Sequence, residues 1–318
     1  MFTGLLFGQD KILLMKTIKT FMLEEKFGKS HKELYNIRKI TYNNDGTVKD
    51  SSLYDKNGEL EDRGLLESIN SEFPYEKREK TIAKYTFEYD EKSQLIAKIP
   101  YSSNGSIFLV TKYKYDFEGN MLELNEYRWD GKLMTKRICR YNENGNWMGY
   151  VTYDQHGQPL GKGKYEYDSN NKHIRSIFYK NDDSINFSVK KIYNSDGKVI
   201  ETQSFDENGK MDEKTLSKRD NQGNVINRVT YRNEDISTNS SYKYDDLGNR
   251  IESSLTLYDS DNSIIGQQTS HKYYYNEDGT ISTKLFGHND TKFGENKFFP
   301  TIEDTYEYLY ESDIDDNW

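Results

Sequence analysis

The chain has 318 residues, long enough for one large or two ordinary domains, so stability demands neither disulfides nor bound metals. Hydrophobic residues make up 34% and charged residues 31%, apolar-poor for a closed globule, while 14% aromatic is too rich for a disordered chain. With 44 basic and 53 acidic side chains the formal charge is −9, and no run of Lys and Arg offsets it; nucleic acid or anionic lipid as the main partner is disfavoured, because both demand a basic patch.

The first segment, MFTGLLFGQDKILLMKTIKTFMLEEKFG, is apolar in patches broken by Asp10, Lys11, Lys16 and Lys19. It contains no apolar run of signal-peptide or membrane-spanning length, which points to the cytoplasm, with the cell surface or secretion as the alternative. Ile12, Met15, Ile18, Met22 and Leu23 fall at helical spacing and predict a short amphipathic helix, an N-terminal cap over residues 1–30. Attachment to a membrane surface is the sharper reading, and Glu24 and Glu25 oppose it.

A repeat array then runs over residues 31–285. Its phrases open at Tyr42 (YNNDG) and Tyr54 (YDKNG), and the segment around residues 60–85, rich in Glu, Lys and Leu, reads as a helical or irregular insertion. Beyond it two series interleave. Series A comprises Tyr89, Tyr115, Tyr141, Tyr167, Tyr193 and Arg219, each 26 residues after the last, followed by Tyr244 and Tyr275 with small slips. Series B comprises Tyr101, Tyr127, Tyr153, Tyr179, Phe205 and Tyr231 at the same interval, followed by Tyr258. Such a period is the signature of a repeat architecture.

The turn chemistry between these positions is legible. In DFEG, NENG, NSDG and DENG an Asp or Asn stands first, where its side chain accepts from backbone amides, and Gly stands fourth, where a left-handed conformation carries no penalty. Subtracting the turns leaves about seven to ten residues per strand, so each unit is two strands and two turns. The predicted fold is therefore all-β: a repetitive antiparallel hairpin meander forming an elongated, twisted or coiled sheet, with series A turns on one edge and series B turns on the other. A parallel solenoid is the competing geometry. The last segment, residues 286–318, reads as a cap strand (Thr305 to Tyr310) and an acidic tail, ESDIDDNW.

The phrases YKYDFEGN, YEYDSNN and YKYDDLGN resemble the YD repeats of bacterial RHS-type proteins, and the paired Tyr and Gly phrases resemble variant MORN repeats. The resemblance covers roughly residues 35 to 285. It departs from RHS proteins in its 26-residue unit and in a length too short for a toxin-enclosing shell. What it implies is a β-repeat scaffold for binding at a cell surface or to another protein, with no catalytic residues.

The residues themselves offer little chemistry. His31, His156, His173, His271 and His288 show no ligand spacing, and Cys139 reads as a buried inert thiol, so no metal or cofactor is expected. Asp116, Asp154, Asp168, Asp206 and Asp245 stand at turn positions that already explain them, and the oxygen-rich stretches YDSDNS (from Tyr258) and ESDIDDN match no calcium loop. The candidate binding residues are aromatic: Trp129 and Trp147, flanked by Tyr127 and Tyr153, would offer flat faces to a sugar ring or a protein anchor, although Trp147 also suits the inner face of the sheet. The expectation is a non-catalytic scaffold that recognises a protein, a toxin included, or a polysaccharide. The alternative is a carbohydrate-active enzyme with carboxylates converging in a groove of the sheet.

Overall fold

The computed structural model describes residues 12–26, 29–61, 82–107, 109–265, 268–290 and 297–310. They form twenty strands: β1 (Leu13–Lys26), β2 (Lys29–Tyr42), β3 (Val48–Asp55), β4 (Lys84–Tyr89), β5 (Leu95–Tyr101), β6 (Leu109–Tyr115) and β7 (Met121–Arg128). These are followed by β8 (Leu133–Tyr141), β9 (Trp147–Asp154), β10 (Pro159–Tyr167), β11 (His173–Tyr179), β12 (Ile185–Tyr193), β13 (Val199–Phe205) and β14 (Met211–Arg219). The last six are β15 (Val225–Arg232), β16 (Asp235–Tyr244), β17 (Arg250–Leu257), β18 (Gln268–Tyr275), β19 (Ile281–Asp290) and β20 (Lys297–Tyr310).

Each strand pairs antiparallel with the next, as the meander reading expects, and the two rims carry the two series of turns. The representative turn follows Tyr141. Asn142 Oδ1 accepts from the amides of Asn144 and Asn146, at 3.0 and 2.9 Å, and Gly145 takes φ 73°. Where the fourth position is not Gly, the same left-handed conformation is held by Ser93, Asn171, Asp183 and Asn262. The turn aspartates behave as expected: Asp116, Asp154, Asp168, Asp206 and Asp245 each accept from two backbone amides of their own turn. One B-side turn is different. Asn233 and Glu234 both have positive φ and connect β15 to β16 as a two-residue hairpin, which accounts for the slip in the period after Arg219.

Two expectations are corrected. The sheet is not an open coil: β20 pairs with β19 on one side and with β1 on the other, closing the meander into a twenty-stranded barrel. Among the described residues the N-terminal helix is also absent: Leu13–Lys26 form β1, which is laddered to both β2 and β20 from Met15 to Met22, while residues 1–11 lie outside the described residues. Two unpaired sheet edges would leave rows of open backbone groups, and burying both edges against each other outweighs the weak helical spacing of five apolar residues. The C-terminal strand predicted at Thr305 to Tyr310 is the end of the longer β20, and it closes the ring. The insertion falls mostly outside the described residues, but Leu60 bridges Tyr54 and Lys84 already lies in β4. The acidic tail beyond Tyr310 lies outside the described residues.

Following the register once around the ring returns to β1 about 20 residues further on, so shear and strand number match, the ratio at which barrel strands tilt by about 36°. At about 4.8 Å between strands, the backbone cylinder is roughly 35–40 Å across, wider than the side chains of the described strands can fill. Every substantial contact between described strands is between ladder neighbours, so the walls do not pack against each other.

Handedness decides which wall faces the bore. Neighbouring strands rotate by roughly −20 to −25°. The register climbs toward the C-terminal end of β1 in the order β1, β2, β3, and at each A-side hairpin Asn142 or its equivalent, not the preceding Tyr, bonds across to the next strand. With that hand, the face carrying Tyr85, Tyr113, Tyr141, Tyr150 and Tyr165 is concave. Crowding agrees: burial pushes the hydroxyls of Tyr113, Tyr306 and Tyr308 up to about 12 and drops the His271 imidazole to about 4, and all four lie on this inner wall.

Candidate binding site

Inner and outer walls use tyrosine differently. On the inner wall each series A Tyr ends its strand beside the A rim, and its hydroxyl donates to the carbonyl of the residue that begins the strand before. Tyr115 reaches Leu95 O at 2.8 Å, Tyr141 reaches Met121 O at 3.1 Å, Tyr167 reaches Trp147 O at 2.8 Å, and Tyr193 reaches His173 O. Arg219, the series A exception, donates from Nε and Nη2 to Val199 O at 3.3 and 3.1 Å and from Nη1 to Gly223 O at 2.8 Å. Series B rings lie on the outer wall beneath lysines of the preceding strand: Lys112 over Tyr127 at 5.6 Å, Lys162 over Tyr179 at 4.7 Å, and Lys214 over Tyr231 at 5.3 Å.

Between the rims, β8 to β12 carry a cluster of buried and aromatic side chains. Cys139, Tyr150 and Tyr165 are buried together on the inner wall, with Met121, Tyr141, Trp147 and Tyr167 against them. Burial raises the Cys139 thiol above its ordinary range, so it favours the protonated, unreactive form. Trp147 stacks on Tyr165 at 4.6 Å and on Tyr150 at 5.8 Å; Tyr165 meets Phe178 edge-on at 6.3 Å, and Phe178 stacks on Phe187 at 4.4 Å. The result is a continuous aromatic track across four strands. Arg137 lies over the Tyr150 ring at 4.3 Å.

Glycines shape this track. A Cβ on Gly163 would come within 2.6 Å of the Tyr150 ring, and one on Gly149, whose φ is 150°, within 2.2 Å of Gly163 O. Tyr150 can therefore lie flat across β10 only because the strand has no side chain there. Toward the B rim the track opens into a recess of about 540 Å³ bounded by Tyr150, Gly161, Phe178 and Phe187, with Lys162 and Tyr179 at its edge.

The four residues singled out from sequence do not converge. Trp147 joins the inner track near the A rim, and its buried Nε1 finds no good acceptor, lying beside the Cys139 thiol. Trp129 stands 70% exposed in the B-rim turn between β7 and β8, while Tyr127 on β7 and Tyr153 on β9 lie on the outer wall, two strands apart. Sequence reasoning missed Tyr150, Tyr165, Phe178 and Phe187. The available signal was the pair Gly161 and Gly163 inside a strand, which marks a close approach of another group.

Among the described residues acids do not pair beside the track; Asp182, at the recess, accepts from Ser184 of its own turn. Glu123 and Glu201 sit on the outer wall; Lys136, Asn125 and Lys114 hold the Glu123 carboxyl down to about 2. Glu126 faces inward and accepts from Thr135 Oγ1 at 2.7 Å. In YDSDNS, Asp259 Oδ1 accepts from the amides of Asp261 and Ser263, at 3.0 and 2.9 Å, as a turn former does. Among the described residues no group of His, Cys, Asp and Glu is placed to hold a metal ion, and no helix is long and apolar enough to cross a membrane.

No family model matches the chain, and no curated protein matches it. Among solved structures it is similar to a porin-like protein from Bacteroides uniformis, with a TM-score of 0.36, 9% identity, and coverage of 93% of this chain and 98% of that one. It is also similar to the TcdB2-TccC3 complex, with a TM-score of 0.35, 12% identity, and coverage of 88% of this chain but only 19% of the other. A porin-like protein from Bacteroides vulgatus gives a TM-score of 0.25 at 12% identity, over 84% of this chain and 100% of that one. None of these scores reaches the level at which two chains share a fold. What stands is the architecture itself, an all-β barrel built from hairpin repeats.

Proposed function

We propose that the protein is a non-catalytic binding scaffold whose inner wall receives the sugar rings of a polysaccharide. The observation that carries this reading is the aromatic track from Trp147 to Phe187, which offers stacked, partly accessible ring faces along the bore. The repeat supports it, since YD-type phrases supply turns and ladders and no catalytic group. An enzyme would need paired carboxylates beside the track; Asp182, at the recess, accepts from the amide and hydroxyl of Ser184 in its own turn, and Glu126, on β7, accepts from Thr135.

The outer wall argues for a barrel surrounded by water. Its strands carry cross-strand ion pairs, including Lys19 with Glu307 at 2.5 Å, Lys136 with Glu123 at 2.9 Å and Lys243 with Glu252 at 3.1 Å. A single Lys on a lipid-facing wall costs about 2–4 kcal/mol at the bilayer midplane, so such a surface is unsuited to hydrocarbon.

Affinity electrophoresis through gels containing soluble polysaccharides tests the reading. Wild type is expected to be retarded by at least one of them. Phe187→Ala, at an exposed ring, is expected to weaken that retardation about 5- to 10-fold with an unchanged circular-dichroism spectrum, as loss of an aromatic anchor does. Retardation unaltered in Phe187→Ala and in Tyr150→Ala would remove the track from the site, and no retardation by any glycan would overturn the reading.

A further inference from the structure

Charge is distributed differently on the two walls at the seam where β17 to β20 meet β1 and β2. On the outer wall lysines and glutamates pair across strands, as in Lys243 with Glu252, Lys32 with Glu303 and Lys19 with Glu307. On the inner wall of the same strands, Tyr273, Lys284, Asp304 and Thr20 form one cross-strand row. Asp304 accepts from Thr20 Oγ1 at 2.7 Å. Around it stand three cations, Lys284 in the row, Arg250 beside Tyr273, and Arg38 opposite Ile18.

Among the described residues none of these three cations makes an ion pair with a carboxylate. They rest on aromatic faces where they rest on anything: Arg250 lies 5.0 Å from the Tyr273 ring centre and 5.7 Å from that of Tyr242, and Lys284 lies 5.9 Å from that of Tyr273. Their joint field reaches His271, whose imidazole is lowered first by burial and then by Lys284 and Arg250. In a chain of net charge −9, an inner-wall patch of three cations around one acid is a local inversion of sign. A guanidinium stacked on a ring keeps its edge N–H groups free to grip a carboxylate in two-pronged fashion.

We propose that this seam patch is a second subsite of the bore that binds carboxylate groups, and that the polysaccharide is accordingly an acidic one built from uronate sugars. The inference rests on the proposed scaffold function and deepens it. Tyr273 holds Arg250 and Lys284 against its ring, and their N–H groups meet the carboxylate. A phosphate backbone would need cations all along its length. Further round the inner wall, Arg232 is engaged with Glu213 and Arg219 with backbone carbonyls, and Arg228 stands apart from the seam on β15, opposite Ser217.

The test compares polygalacturonate with its fully methyl-esterified form, which keeps the sugar chain and removes the charge, by calorimetric titration at low salt. Wild type is expected to bind the acid form about 10-fold tighter, with the difference shrinking as salt is added. An Arg250→Gln, Lys284→Gln double variant is expected to erase that difference, while Phe187→Ala weakens both polymers alike. Equal binding of the two forms by wild type overturns the anionic subsite and leaves the scaffold reading standing. Binding of single-stranded DNA as tight as that of polygalacturonate overturns it too, since the patch would then be a general anion exchanger. Failure of both polymers and of every neutral glycan overturns both proposals together.

Discussion

At Tyr167 the ring lies on the inner wall and its hydroxyl donates to Trp147 O at 2.8 Å; at Tyr179, one strand later, the ring lies on the outer wall with Lys162 above it at 4.7 Å. The same residue type at the same kind of turn serves two purposes. Inside, the hydroxyl satisfies a strand-end carbonyl and ties each hairpin to the next, so a donor is required. Outside, the ring supplies a flat face to a cation, and the hydroxyl is dispensable. The exceptions in the repeat agree with this division. Series A replaces Tyr once, by Arg219, which keeps donors on Val199 O; series B replaces it once within the regular array, by Phe205, which keeps only the ring.

The largest effect is expected where an inner donor is removed outright. Arg219→Leu leaves the carbonyls of Val199 and Gly223 without their charged donor and should cost about 2 kcal/mol, as hydrogen bonds to charged groups do. Arg219→Tyr should recover most of that loss. Tyr167→Phe should cost about 1 kcal/mol and Tyr179→Phe less than about 0.5 kcal/mol. Midpoints of urea denaturation at unchanged slope would measure all four. Equal losses for Tyr167→Phe and Tyr179→Phe would erase the distinction between the walls.

Acid should sharpen the same contrast, because the strongly shifted histidine is an inner one. Burial first, and then Lys284 and Arg250, lower the His271 imidazole to about 4, against about 6.5 when unfolded. The unfolded chain therefore binds the extra proton first, and stability falls as pH drops from about 6.5 to about 4, then levels off. Because His271 is only half-buried, a contribution of about 1–2 kcal/mol is expected after solvent screening. His271→Gln should flatten that part of the stability profile between pH 7 and 4. An unchanged profile in the variant would mean that the imidazole is well solvated.

Much of this architecture could be read from the residues. The Asp or Asn and Gly of each turn fixed the strand count per unit, the antiparallel meander and the separation of the two series on opposite rims, since that chemistry is local. Ring closure was not legible. It depends on β1 meeting β20 across nearly the whole chain, and nothing in the spacing of Ile12, Met15, Ile18, Met22 and Leu23 distinguishes a helix face from a strand laddered on both sides. The site was half legible for a similar reason. The two tryptophans stand out by type, but only the structure shows that Trp147 joins the inner wall while Trp129 stands exposed in a B-rim turn. Tyr150 and Phe178 look like any other strand aromatics until Gly163 is seen to make room for one and the β10–β11 ladder to bring the other beside it.

The smallest effect is expected on the outer ladder. Lys162 lies over the Tyr179 ring and pairs with Asp183 at 2.6 Å, at the fourth position of a B-rim turn where Asp183 holds φ 69°. Both contacts are open to water, so each is worth a few tenths of a kcal/mol and is screened by salt. Lys162→Met keeps the aliphatic stem over the ring and removes the charge; it should cost about 0.5 kcal/mol in dilute buffer and almost nothing in about 1 M salt. The charge-free variant thus separates ring coverage from electrostatics. A loss as large as that of Tyr167→Phe, unchanged by salt, would mean that the lysines of the outer wall hold the barrel together, and the division of labour between the two tyrosine ladders would have to be abandoned.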